Sequence, residues 1–130
     1  MAGEKILIVE DNPMNMELAK DLLEVAGYFV LQAETAEKGI ELVKAESPDI
    51  ILMDIGLPGV GGLTAAGILK RDQLTKDIPI IALTSHAMQD DEERIMAAGC
   101  DGYITKPIDT REFPKTVAGF IGSPGRSESG

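Results

Sequence analysis

Polar and apolar positions alternate along the chain between two patterns. Lys5 to Val9, Phe29 to Ala33, Ile50 to Asp54, Ile78 to Thr84 and Gly102 to Thr105 are short runs with β-rich, largely apolar composition. Ile50 to Met53 has no polar residue at all, which predicts a strand buried on both faces, as in a parallel sheet covered by helices. Between these runs the apolar positions return every three or four residues, the spacing of a helix with one buried side.

Capping chemistry sets the helix limits. Asn12-Pro13 opens a first helix whose core face is expected along Leu18, Ala19, Leu22, Leu23 and Ala26, and Gly27 ends it. Thr35 caps a second helix that runs to about Glu46 before Ser47-Pro48 stops it. A third follows the Leu57 to Gly62 loop and reaches about Asp72, weakened by Gly61, Gly62 and Gly67. The fourth, from about Ala87 to Ala98, places Asp90, Asp91, Glu92 and Glu93 at its positive end and Gly99 at its C-cap. Its apolar stripe is thin, with Met88 and Ile95 its only large members. The last helix, from about Thr110 to Ile121, carries Phe113, Val117, Phe120 and Ile121, and Pro114 must fall in its first turn.

Five strands alternating with five helices predict one α/β domain over residues 1–121. The expected architecture is a doubly wound (βα)5 fold, flavodoxin-like, with a parallel five-stranded sheet in the order 2-1-3-4-5. Residues 122–130 have nothing to bury and are predicted to form a disordered polar tail. The 130 residues are enough for one core and too few for two.

That topology gives the polar residues at the strand ends a common address. Strands one and three are neighbours, so Glu10, Asp11 and Asp54 converge at the carboxyl edge of the sheet, where ligands of open α/β folds collect, with Thr84 and Lys106 on the far side. Carboxylates held this close raise one another's pKa unless a cation joins them, and hard oxygen donors with water positions left open suit Mg2+. A carboxylate such as Asp54 can act as a nucleophile and form an aspartyl phosphate. Phosphoryl transfer then asks for a divalent cation, an ammonium and hydroxyl donors around the transferred oxygens, and Lys106 and Thr84 are those residue types.

Charge narrows the partners. Twelve basic against twenty-two acidic residues leave a net charge of -10, which disfavours nucleic acid and anionic lipid and favours proteins or a cation. No apolar stretch is long enough for a membrane span, and the single cysteine, Cys100, permits no internal disulfide. Without a basic and apolar leader, a cytoplasmic location is expected.

Glu10-Asp11, Asp54, Thr84-Ser85, Tyr103 and Lys106-Pro107 together resemble the receiver domain of two-component response regulators, the CheY-like fold, over residues 5 to about 121. The Val-Glu-Asp-Asn-Pro-Met-Asn opening, the Asp-Glu-Glu-Arg of the fourth helix and the Gly-Cys-Asp-Gly-Tyr-Ile-Thr-Lys-Pro segment are most similar to stand-alone members of that family. The resemblance implies that Asp54 accepts a phosphoryl group from a kinase phosphohistidine, while Glu10, Asp11, Asp54 and the Gly56 carbonyl hold Mg2+. It further implies that Lys106 holds a phosphoryl oxygen, that Thr84 closes on it and Tyr103 turns inward as a switch, and that the Lys106-Pro107 bond is cis. The implied partners are a histidine kinase or phosphotransferase and a downstream regulatory protein, bound by a monomer in cell-cycle or cell-fate control. Two departures stand out: Glu10 replaces the commoner Asp and should reach the metal through water, and Gly61-Gly62 replaces the usual Asp-Gly.

Other residues are weighed against ordinary packing. His86, the only histidine, is expected to face solvent in a loop at the mouth of the site, two residues after Thr84, where it and Gly56 would flank an attacking water. Met14 and Met16 are expected to be partly exposed as a soft docking surface, and Cys100 to be a small buried hydrophobe. Competing functions are an aspartyl-phosphate phosphatase of the haloacid dehalogenase type, which needs an acid where Gly56 stands, and a flavodoxin-like carrier, whose phosphate loop the acids after strand one would oppose. A receiver cut from a hybrid kinase is the alternative within signalling.

Overall fold

The sheet is the framework that brings the acids together. In the computed structural model, which describes residues 4–56, 61–85 and 89–121, five parallel strands are β1 (Lys5–Val9), β2 (Phe29–Ala33), β3 (Ile50–Asp54), β4 (Ile80–Thr84) and β5 (Gly102–Thr105). They lie in the order β2-β1-β3-β4-β5. Register fixes the edge: Val9 pairs with Ala33 and Met53, Asp54 with Leu83, and Thr84 with Thr105, so all the strands near the acids end at one level.

Five helices cover the sheet: α1 (Pro13–Val25), α2 (Ala36–Glu46), α3 (Gly62–Arg71), α4 (Gln89–Ala97) and α5 (Glu112–Ile121). Side chains alternate along each strand, so the sheet feeds two cores. Leu7, Val9, Ile51, Met53, Ile80 and Ala82 meet Val43, Ala66, Leu69 and Ile95 on the side of α2, α3 and α4. On the opposite face Ile6, Ile8, Ile50, Leu52, Ile81 and Leu83 meet Met16, Ala19, Leu23, Phe113 and Val117 of α1 and α5. Each fully buried Ile or Leu contributes roughly 1.5–3 kcal/mol of apolar burial, which anchors β1, β3 and β4 as the stable centre.

Local chemistry sets the connections. Asn12 Oδ1 accepts hydrogen bonds from Met14 N (2.9 Å) and Asn15 N (3.1 Å), with Pro13 at the first helical position. Thr35 Oγ1 accepts from Lys38 N at 3.1 Å and caps α2. At Gly62 a side chain would drive into the backbone carbonyl of Asp54, so a residue without Cβ lets α3 begin directly against the end of β3.

Three expectations need correction. β4 begins at Ile80 rather than Ile78, because Pro79 has no N–H and Ile78 N turns back to Thr75 O (3.1 Å); the Ile80 amide is met by Asp101 Oδ2 at 2.9 Å. α5 begins at Glu112 rather than Thr110, because Asp109 Oδ1 accepts from Arg111 N and Glu112 N and holds 110–111 as a turn; Pro114 falls in the first turn as expected. On α1 the buried face is Met16, Ala19 and Leu23, whereas Leu18 is 40% and Met14 80% exposed. At 3.6 residues per turn, Leu18 lies about half a turn from Met16, so Met16 takes the core place expected of Leu18 and Leu18 the outer place expected of Met16, while Met14 is exposed as expected. The start of the fourth helix at Ala87, Met88, most of the 57–62 loop and the tail 122–130 lie outside the described residues.

Candidate functional site

Glu10 and Asp11 follow β1 directly, and Glu10 N extends the ladder by donating to Ala33 O at 3.0 Å. Asp54 closes β3. Glu10 and Asp54 are buried, at 3% and 5% exposure, while Asp11 is open to solvent. One carboxylate oxygen from each of the three lies within 4.8 Å of the others. The convergence expected from the strand order is therefore present.

Each buried oxygen already has an assigned role. Asp54 Oδ1 accepts from Gly56 N at 2.8 Å, a turn bond that needs the backbone to fold back immediately after the strand. Asp54 Oδ2 accepts from Lys106 Nζ at 3.2 Å, and the same ammonium reaches Glu10 Oε1 at 3.1 Å. Glu10 Oε2 accepts from Asn12 N at 3.1 Å, so the longer acid also positions the turn into α1. Lys106 is delivered by β5: its amide donates to Thr84 O at 2.7 Å, and the Lys106-Pro107 bond is cis, as the resemblance implied.

Burial pushes the Glu10 carboxyl above its ordinary range; the Asn12 amide and Lys106 oppose this, and the Asp54 charge adds to it. For Lys106 burial works against the ammonium, but the bonds to Glu10 and the charge of Asp54 outweigh it and raise its pKa. Three carboxylates facing one ammonium leave two negative charges uncompensated at the edge. A divalent cation matches that excess, and the all-oxygen donor set with one solvent-exposed member suits Mg2+ that keeps part of its water. An open groove of about 680 Å³ between α1 and the start of α2 reaches Glu10 and Asp11, so a hydrated ion has a route in.

The remaining candidates divide. Thr84 is buried at the end of β4, at the same edge. Gly56 is exposed two residues past Asp54. Tyr103 lies on β5, and its hydroxyl donates to Glu92 Oε2 of α4 at 2.6 Å, so it is engaged by the helix. His86 lies outside the described residues. Cys100 is buried, and burial with the neighbouring Asp101 charge pushes its thiol up to about 11, in line with an inert packing role.

Sequence reasoning missed the bond of Glu92, which it used as N-terminal charge of α4 and as part of the Asp-Glu-Glu-Arg segment. It also missed Lys70, whose ammonium donates to Lys76 O (3.1 Å), Ile78 O (2.8 Å) and Asp101 Oδ2 (2.8 Å) and ties the end of α3 to the turn before β4 and to the residue ahead of β5. No spacing in the sequence announces either cross-element bond.

A buried acid pair bridged by a lysine, beside a third acid at the carboxyl edge of a 2-1-3-4-5 sheet, is the arrangement of a receiver, and residues 6–118 match the family described as response regulator receiver domain; the chain belongs to that family. Within it, the chain is similar to the polar-differentiation response regulator DivK of Brucella ovis, at 43% identity over 119 residues, covering 92% of this chain and 97% of that protein. Among solved structures it resembles a putative response regulator from Chloroflexus aurantiacus, with a TM-score of 0.88 at 28% identity, covering 93% of this chain and 99% of that one. It also resembles the receiver domain of a sensor histidine kinase from Pseudomonas aeruginosa PAO1 with a magnesium ion coordinated in the active site cleft, with a TM-score of 0.86 at 34% identity, covering 94% and 100%. Membership implies phosphoryl acceptance and a place in two-component signalling. Among the described residues no helix is long and apolar enough to cross a membrane.

Proposed function

We propose that the protein is a DivK-like response regulator that takes a phosphoryl group on Asp54 from a histidine kinase or histidine phosphotransferase and signals by phosphorylation-dependent binding to a downstream protein. The observation that carries this reading is Lys106 Nζ set between Glu10 and Asp54, with Asp11 completing the acid cluster. An Asp54 oxygen forms the new O–P bond as the donor's N–P bond breaks, and the electron pair stays on the leaving imidazole. Lys106 neutralises a phosphoryl oxygen, and the Thr84 hydroxyl donates to another. Glu10, Asp11, Asp54 and the Gly56 carbonyl would hold Mg2+, which supplies positive charge where the transferred oxygens gather. Tyr103 is the switch, moving inward with Thr84. Gly56 stands where an aspartyl-phosphate phosphatase would carry its second acid, so the protein is read as a signalling acceptor and not as an enzyme acting on a small molecule.

The donor docks across the outer face of α1, on Met14 and Leu18, and the Pro107 loop, beside a small apolar cavity lined by Leu18, Ala19, Pro107 and Phe113. Met16 belongs to the core and leaves that surface. The target reads α4, β5 and α5. Likeness to DivK, a polar-differentiation regulator, supports a role in cell-cycle or cell-fate control, and the protein is read as a cytoplasmic monomer with its functional unit at residues 1–121. Likeness to a sensor kinase's receiver favours a second reading, a receiver segment of a hybrid kinase with the same chemistry. Transfer from radiolabelled histidine kinases of the source organism tests the proposal: label should pass to the wild-type protein in Mg2+ and not to Asp54→Asn, and label on the variant would refute it.

A further inference from the structure

The unphosphorylated position of Tyr103 has a built cause. At 2.6 Å the bond from its hydroxyl to Glu92 Oε2 lies within the short range of O–H donors on carboxylates, and it pushes the phenol above its ordinary pKa. The ring itself is only partly buried against the core, on a strand at the sheet edge where none of the four residues is fully buried. From Glu92 to Ala97 the only buried side chain is Ile95, near the far end of α4, while Met96 is 51% exposed. Among the described side chains, burial of Ile95 secures the last turn of the helix, and the Tyr103 bond joins Glu92, a turn earlier, to β5.

We infer that Glu92 is a positioning residue of the switch: its carboxylate latches Tyr103 outward against α4, so phosphorylation must break this bond before the ring can move in. The inference rests on the switch role given to Tyr103 above. A bond made in only one of two states holds population in that state, and linkage makes the effect reciprocal: whatever weakens the latch must favour the phosphorylated site and the target-binding surface by the same factor. A neutral donor on a partly exposed carboxylate predicts a shift of roughly three- to tenfold.

The probe is Mg2+ with beryllium trifluoride, a phosphoryl mimic, titrated calorimetrically into wild type, Glu92→Ala, Glu92→Gln, Tyr103→Phe and the Glu92→Ala/Tyr103→Phe double variant. Glu92→Ala should bind the mimic about three- to tenfold more tightly, and Glu92→Gln should fall between it and wild type because the amide oxygen still accepts a neutral bond. In the Tyr103→Phe background, which lacks the hydroxyl, Glu92→Ala should add nothing. General damage to the fold would weaken binding, so a gain separates the latch from a merely structural role. An unchanged or lower affinity in both Glu92 variants, or an equal gain with and without the Tyr103 hydroxyl, overturns the latch. Wild type that takes no mimic at all overturns the phosphoacceptor reading and the latch with it.

Discussion

The two sides of the carboxyl edge are held in opposite ways. At β1 and β3 the acids stand on strands whose residues are buried almost without exception, and each buried carboxylate oxygen of Glu10 and Asp54 accepts a hydrogen bond. At α4 and β5 the strand is half-buried, and among the described side chains from Glu92 to Ala97 the helix buries Ile95 alone and bonds through Glu92 to Tyr103. Phosphoryl chemistry gains from groups fixed before the reaction, whereas a change of partner needs an element weakly enough held for one covalent event to shift it. Lys106 joins the two sides, because its ammonium sits among the acids and its amide bonds to Thr84 O.

Lys106→Met should do the most damage. Without the ammonium, Glu10 and Asp54 remain buried side by side, and phosphorylation from a small donor should fall by about 10²-fold or more, measured as the labelling rate in saturating Mg2+. A rate within threefold of wild type would mean that the acid side is not organised around Lys106.

The corrected face of α1 yields a matched pair. Met16→Asp buries a charge in the core and should cost about 3 kcal/mol or more in urea unfolding, whereas Leu18→Asp, on the outer face, should change stability by less than about 0.5 kcal/mol. Leu18→Asp should instead slow transfer from a kinase while leaving small-donor phosphorylation intact. Equal loss with both donors would remove the docking surface.

On the loosely held side, Tyr103→Ala should leave the extent of phosphorylation largely unchanged and reduce the difference in target affinity between the phosphorylated and free protein. Loss of phosphorylation itself would show that β5 is part of the rigid site.

The smallest effect concerns Cys100, packed with Ile95 between α4 and β5. Its thiol is raised from 9.0 to about 11, so the folded state keeps the proton that the unfolded chain gives up. Stability should therefore fall as pH rises from 9.0 towards about 11, and Cys100→Ala should flatten that part of the profile. Alkylation at pH 8 should proceed through opening of α4, faster than global unfolding allows; rates equal to global unfolding would make α4 as firmly held as the sheet.

Much of this was legible in the chain. Short apolar runs predict the strands and their alternation with helices the order, and that order brings Glu10, Asp11, Asp54, Thr84 and Lys106 to one edge. The face of α1 was not legible because Met14, Met16, Leu18, Leu22 and Leu23 offer overlapping stripes, and it is packing of α1 against the sheet and α5 that takes Met16 inward. The Glu92 latch was hidden for a different reason: within an acidic run, charge at a helix start is explanation enough, and a bond to a tyrosine eleven residues on leaves no periodic trace.

The central claim, that Asp54 is the phosphoacceptor of a metal-assisted acid site, is tested most directly by intact mass spectrometry after exposure to a small phosphodonor. Wild type should gain the mass of one phosphoryl group in Mg2+ and lose that gain when the metal is chelated, and Asp54→Asn should gain none in either condition. Equal labelling of wild type and Asp54→Asn, or labelling of wild type indifferent to Mg2+, would contradict it.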